Sequence, residues 1–173
     1  MPVLSPIVFS AADIARAADI RRILHQRPEL QFEEHHTAAL VAEELSALGY
    51  RVRTGVAGTG ILADLQGLPG GKTLALRADM DALPITEQTG LTYSSAEPGK
   101  MHACGHDGHT ASLLLAARAL ARTMPLLKGR VRLLFQPAEE TGQGAVRMIA
   151  DGALDGVDAI FCYHNRPGLP QGQ

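Results

Sequence analysis

The sequence predicts an α/β sandwich of three layers, with helices on both faces of a largely parallel inner sheet. Three observations carry this. Strand-like and helix-like runs alternate along the chain. Two late strand-like runs, Val131–Phe135 and Val157–Tyr163, are largely apolar, each broken by one charged residue (Arg132, Asp158), as the strands of a sheet covered on both faces tend to be. Polar residues able to do chemistry then fall just after strand-like segments, where open α/β sheets gather their binding groups.

Taken in order, Ala11–Gln26 repeats apolar residues at helical spacing (Ile14, Ala17, Ala18, Ile20, Ile23, Leu24), and Pro28 terminates it. Glu33–Leu48 is a second helix with Leu40, Val41, Leu45 and Leu48 on its face and Gly49 at the C-terminal cap. Strand-like runs follow at Arg51–Val56, Gly60–Gln66 and Thr73–Met80, separated by turns at 55–60 and 67–71, of which Leu68-Pro-Gly-Gly71 is the plainest. Residues 82–101 are irregular and are expected to loop over one edge of the fold. A helix beginning at Gly108 or His109 and ending at Thr123 is apolar almost all round, which predicts burial. The Val131–Phe135 strand, a helix over Gly142–Ala150 and a buried strand over Val157–Tyr163 complete the pattern.

Composition narrows the function classes. A 173-residue chain fits one domain, burying roughly 70% of the surface its unfolded form exposes. A net charge of −2, with no basic stripe, gives no footprint for nucleic acid. The longest apolar run, Ala111–Ala121, is interrupted by Arg118 and falls short of the roughly 18 residues a membrane span needs. No basic residue precedes Arg16, so no secretory leader is expected. The two cysteines, Cys104 and Cys162, are then expected to be reduced thiols in the cytoplasm.

The densest chemistry lies in Met101–Thr110, MHACGHDGHT, which holds His102, Cys104, His106, Asp107 and His109 just before a helix. Cys104 and His106 can face one point if Gly105 turns tightly. A helix N-terminus is expected to lower the thiol pKa toward the metal-binding thiolate. Sulfur with imidazole suits zinc and neighbouring transition ions, although a buried structural cysteine beside exposed histidines would give the same letters. Glu139 and Glu140 are adjacent after Pro137, so one can bind metal while the other stands free as a base. They could equally cap the next helix as a solvated acidic pair. Asp79 and Asp81 share a strand face with Arg77, either as an Arg–Asp pair or as a carboxylate behind a metal-bound imidazole. His164 is either a further ligand or a loop residue. No phosphate-binding glycine loop, GxSxG elbow or four-cysteine finger is present.

Read together, HQRPEL at 25–30 with Glu33 and Thr37, RADMDALP at 77–84, MHACGHDGHT at 101–110, FQPAEE at 135–140 and HNRPGLPQG at 164–172 resemble a known family. It is the metal-dependent amidohydrolase branch of the aminoacylase and carboxypeptidase-type metallopeptidases, and the resemblance runs from about Ala18 to the end. It implies a site for two divalent ions (zinc, manganese, cobalt or nickel). The ligands would be Cys104, His106, Glu140 and His164; Glu139 would be the general base, and Asp81 would orient a ligand. Asp79 stands where distant relatives carry a histidine ligand and is left out of the ligand set. His102 and His109 are expected to support the site. The implied reaction is hydrolysis of the amide of an N-acyl or N-aroyl amino acid such as hippurate, by water activated at the metals with Glu139 moving the proton.

By this likeness, residues 1–17 are an N-terminal extension or the start of the first helix, and 18–173 the N-terminal part of a catalytic domain. Relative to the family the domain is incomplete. The lid or dimerisation domain, which can pair two copies in full-length relatives, and the C-terminal return with a last histidine ligand would be missing. A weakened or single-ion site with little activity follows as an expectation. A non-catalytic remnant serving as a metal-binding or interaction module is the alternative, and a metal-free Cys–His hydrolase a third.

Overall fold

The computed structural model describes residues 8–166 and 168–170. Residues 1–7 of the expected N-terminal extension, and Pro167, Gln171 and Gly172 of the last motif, lie outside them. The chain opens with α1 (Ala11–Gln26) and α2 (His35–Ala47). Then come β1 (Arg51–Val56), β2 (Gly60–Gln66), β3 (Leu68–Asp79), α3 (His106–Thr123), β4 (Lys128–Gln136), α4 (Gln143–Ala150) and β5 (Ala159–Cys162).

Local chemistry explains the helix ends. Ser10 and Asp13 form a capping box at α1, each accepting the other's backbone N–H at 3.1 Å. The N-cap residue of α2, Glu34, makes no side-chain cap. Instead Glu29 reaches forward, its carboxylate accepting the His36 and Thr37 amides at 2.8 Å each. Gly49 ends α2 in the left-handed region, as its position suggests.

The five strands form one sheet in the order β1-β2-β4-β3-β5. β2 is antiparallel to β1 and β4, whereas β3 is parallel to β4 and β5, so β2 alone runs against the others. Alternation along the strands sorts side chains to two faces. On one face Ile61, Ala63, Val131, Leu133 and Phe135 meet Ile20 and Leu24 of α1, Val41 and Leu45 of α2, and Leu114 and Ala117 of α3. On the other Leu62, Ala75 and Leu134 pack on Met148 of α4 and on Ala153. Each fully buried Leu, Ile or Phe contributes about 1.5–3 kcal/mol relative to exposure. The three layers are those expected, and β1 and β2 have the bounds that the sequence suggests.

Three elements differ. The segment 68–71 is not a free turn: β3 begins at Leu68, and its register on β4 shifts between Leu68 and Thr73. Gly70 and Gly71, both at positive φ, absorb the shift as a bulge. α3 starts at His106, earlier than expected, because Gly105 takes a left-handed conformation (φ +84°) and turns the chain directly into the helix. Finally, β5 is an edge strand: Phe161 is 60% and Ile160 46% exposed. An apolar run signals two covered faces, yet these side chains stay largely exposed at the edge of the sheet. Among the described residues, no helix is long and apolar enough to cross a membrane.

Candidate metal centre

The parallel strands β3 and β4 end together at Asp79 and Gln136, and the loops beyond them meet the N-terminus of α3. Asp81 follows β3, Glu139 and Glu140 follow β4, His164 follows β5, and His106 opens α3. Residues from four separate segments thus reach one rim.

The ligand atoms of Cys104, His106 and Glu140 lie within 4.8 Å of one another. His164 joins from the β5 loop, its Nε2 3.6 Å from Cys104 Sγ. His164 Nδ1 is 2.7 Å from the Asn165 carbonyl, to which it donates when protonated, leaving the Nε2 lone pair facing the thiol. His106 is fully buried, with Nδ1 3.3 Å from Asp81 Oδ1. Its Nε2 has no hydrogen-bond partner. That atom instead faces Asp79 and Glu139 oxygens at 3.7 Å each and a Glu140 oxygen at 3.8 Å. A buried imidazole nitrogen surrounded by carboxylates just beyond hydrogen-bond range leaves an atom uncompensated unless a cation stands between them. The donor set, one thiol, two imidazoles and a carboxylate, suits zinc or a neighbouring ion.

A second constellation, Asp79, His106, His109 and His164, shares His106 and His164 with the first. Its remaining members, Asp79 and His109, are already engaged. Asp79 Oδ1 is 2.6 Å from His109 Nδ1, and Asp79 Oδ2 accepts from Arg77 at 2.7 Å. His109 Nε2 accepts the Asn165 amide at 3.0 Å. These bonds latch the β5 loop over α3 and suit support rather than ligation. Gly105 permits the latch: a Cβ there would lie 3.0 Å from the Asn165 side chain.

Electrostatics follow from burial and partners. Burial works to raise the Asp79 pKa, but the His109 bond and the charges of His106 and Arg77 hold it at about 2. Asp81 is lowered against its burial by His106 and by two backbone amides, Glu139 N–H at 3.0 Å and Glu140 N–H at 3.1 Å. Burial works to lower His106, and the surrounding carboxylates raise it instead. Cys104 corrects an expectation. Burial and the nearby Glu140, Glu139 and Asp79 push its thiol up to about 11. The helix dipole loses to local carboxylates, so a metal would have to displace the thiol proton on binding.

The six expected site residues, Asp81, Cys104, His106, Glu139, Glu140 and His164, therefore meet at one place. His109 supports that place, as its i,i+3 spacing from His106 allows. His102 is buried with neither ring nitrogen bonded, and burial lowers its pKa to about 4. Two supports escape sequence reasoning. Asp107 is braced beneath α3 by His25 at 2.6 Å and Arg21 at 3.0 Å, with His25 also touching Glu87 at 3.2 Å. Glu34 is buried against the Glu139 loop. Both depend on residues far apart in sequence. The weak signal for them lay in the 25–37 motif, whose spacing no simple helix face explains.

Known proteins resemble this chain over most of its length. The chain is 53% identical over 153 residues to an N-acetyl-L-cysteine deacetylase of Bacillus subtilis, covering 88% of this chain and 37% of that protein. It is 49% identical over 158 residues to an IAA-amino acid hydrolase of Arabidopsis thaliana, covering 91% and 34%. A Bacillus subtilis structure described as a dinuclear metal binding peptidase from the M20 family superposes with a TM-score of 0.88 at 44% identity, covering 92% of this chain and 45% of that one. The chain thus spans less than half the length of these relatives. The family profile described as Peptidase family M20/M25/M40 matches residues 75–173, which hold every residue of the candidate metal centre, and the chain belongs to that family.

Proposed function

We propose that the chain forms the N-terminal part of a metal-dependent amidohydrolase that cleaves N-acyl or N-aroyl amino acids, hippurate-like substrates among them. The observation that carries this is the buried, unpartnered His106 Nε2 set among Cys104, Glu139, Glu140 and His164. In this reading Cys104, His106, Glu140 and His164 hold divalent metal, as a two-ion centre in full-length relatives and as one ion or a weakly held pair here. Divalent ions there would lend Lewis acidity to an amide carbonyl and acidify water.

The rest falls to the chain's own side chains. Glu139 keeps about a third of its side chain exposed (35%), so it can take a proton from the attacking water and pass it to the departing amine. Asp81 lies against the His106 ring, 3.3 Å from Nδ1, and holds the Glu139 and Glu140 amides, which sets where both carboxylates point. Asp79 and Asn165 clamp His109, and through it the loop bearing His164. Cytoplasmic residence belongs to this reading and is supported by two free cysteines, Cys104 and Cys162.

The test is hydrolysis of N-acetyl and N-benzoyl amino acids with zinc, manganese, cobalt or nickel supplied. The expected result is turnover abolished by a chelator and lowered about 10²–10⁴-fold by Glu139→Gln. A loss smaller than about tenfold removes Glu139 as the base. Tight metal binding without turnover would favour the second reading, a non-catalytic metal-binding or interaction module.

A further inference from the structure

The segment that carries Glu139 and Glu140 hangs from two buried carboxylates. Asp81 takes the Glu139 and Glu140 amides. The amide before them, Ala138 N–H, donates to Glu34 Oε1 at 2.9 Å. Glu34 is fully buried at the N-cap of α2, and its other oxygen accepts from the Thr59 hydroxyl. Three successive amides are thus tied to fixed anchors that come from α2 and from the loop after β3.

Ala138 needs an anchor more than its neighbours do. Its φ of +49° lies in the left-handed region, which a residue with a Cβ rarely adopts. Its side chain is buried and its carbonyl accepts from Gly144 at 3.1 Å, so the peptide is gripped from both sides. The packing beneath is equally tight: a Cβ at Gly144 would fall 1.6 Å from the Pro137 carbonyl oxygen. Strained backbone of this kind persists where its surroundings over-determine it, and such places cluster at functional sites.

We propose that Glu34 is a positioning residue. By holding Ala138 in its left-handed conformation it sets the direction in which the chain leaves Pro137, and so where Glu139 and Glu140 stand over His106. The inference rests on the reading of Glu140 as a ligand and Glu139 as the base. It gives the 25–37 motif a task at the metal centre, reached across 104 residues of sequence.

The test compares the 173-residue chain with Glu34→Ala, Glu34→Asp and Glu34→Gln variants. Zinc affinity is measured by competition with a chromophoric chelator, and folding by circular dichroism. Glu34→Asp is one methylene short of Ala138 and carries the test should Glu34→Ala not fold. Glu34→Gln can accept from Ala138 and donate to the Thr59 oxygen. The expected result is a loss of about tenfold or more in zinc affinity for the Ala and Asp variants, within the range for residues that orient ligands. The Gln variant should stay near wild type. Wild-type affinity in a folded Ala or Asp variant overturns the proposal, as does an equal loss in the Gln variant. Absence of zinc binding by the wild type would instead sink the metal-centre reading itself, so the two failures are distinguishable.

Discussion

Asp81 shows how one buried side chain can govern a site that it does not complete. Its two oxygens serve two consecutive amides and face His106 Nδ1 as well. Asp81→Asn would keep the shape and turn one acceptor into a donor aimed at a backbone N–H. One half-buried amide would then lose its partner, at a cost of about 1 kcal/mol. Chemical denaturation of the folded variant against wild type checks that figure, and a change below about 0.5 kcal/mol would mean the two bonds carry little of the loop's order. At this scale the ligand candidates were legible because their types are rare and their motifs short. Glu34 was not, since nothing within a few residues of it says that its partner is Ala138. The Cys104 thiol was misjudged for a related reason: the helix N-terminus is visible in sequence, whereas the burial and the three carboxylates that outweigh it come from other segments.

Among the elements, α1 is fixed at its start by chemistry that titrates. Asp13 donates nothing; it accepts from Ser10 and from Arg122 of α3, at 3.0 Å for the closer guanidinium contact, and these bonds hold its pKa at about 2 against an ordinary 3.8. A lowered carboxylate pKa contributes stability that is present above the unfolded value and lost as pH falls through the folded one. Asp13→Asn should therefore melt below wild type near pH 5, with the gap closing as the pH approaches about 2. Thermal melts across that range check this; a gap independent of pH would show that the bonds, not the charge, are what α1 uses. The element bounds most legible in the sequence, α1, β1 and β2, are those set by local capping and flanking turns. The bulge at 68–71 and the bare face of β5 depend on what lies opposite in space, which glycine content and apolar runs do not specify.

At the scale of the molecule, the sheet and its covering helices bring residues from across the chain to one rim, and the His25–Asp107 brace and the Ala82 amide, which donates to the Glu29 carbonyl at 2.8 Å, tie the N-terminal segment to the same rim. The family likeness and the fold were both readable because five motifs keep their order and the helix and strand periods are clear. Tertiary supports were not readable, because their partners lie tens of residues away. The central claim is that this chain by itself assembles a metal centre from Cys104, His106, Glu140 and His164. The most direct test is equilibrium dialysis of the chain against zinc, with metal content measured for wild type and Cys104→Ser. The account predicts at least about one zinc retained per wild-type chain, and an affinity lowered about tenfold or more in the folded Cys104→Ser variant. A metal-free wild type, or zinc binding indifferent to Cys104→Ser, would contradict it.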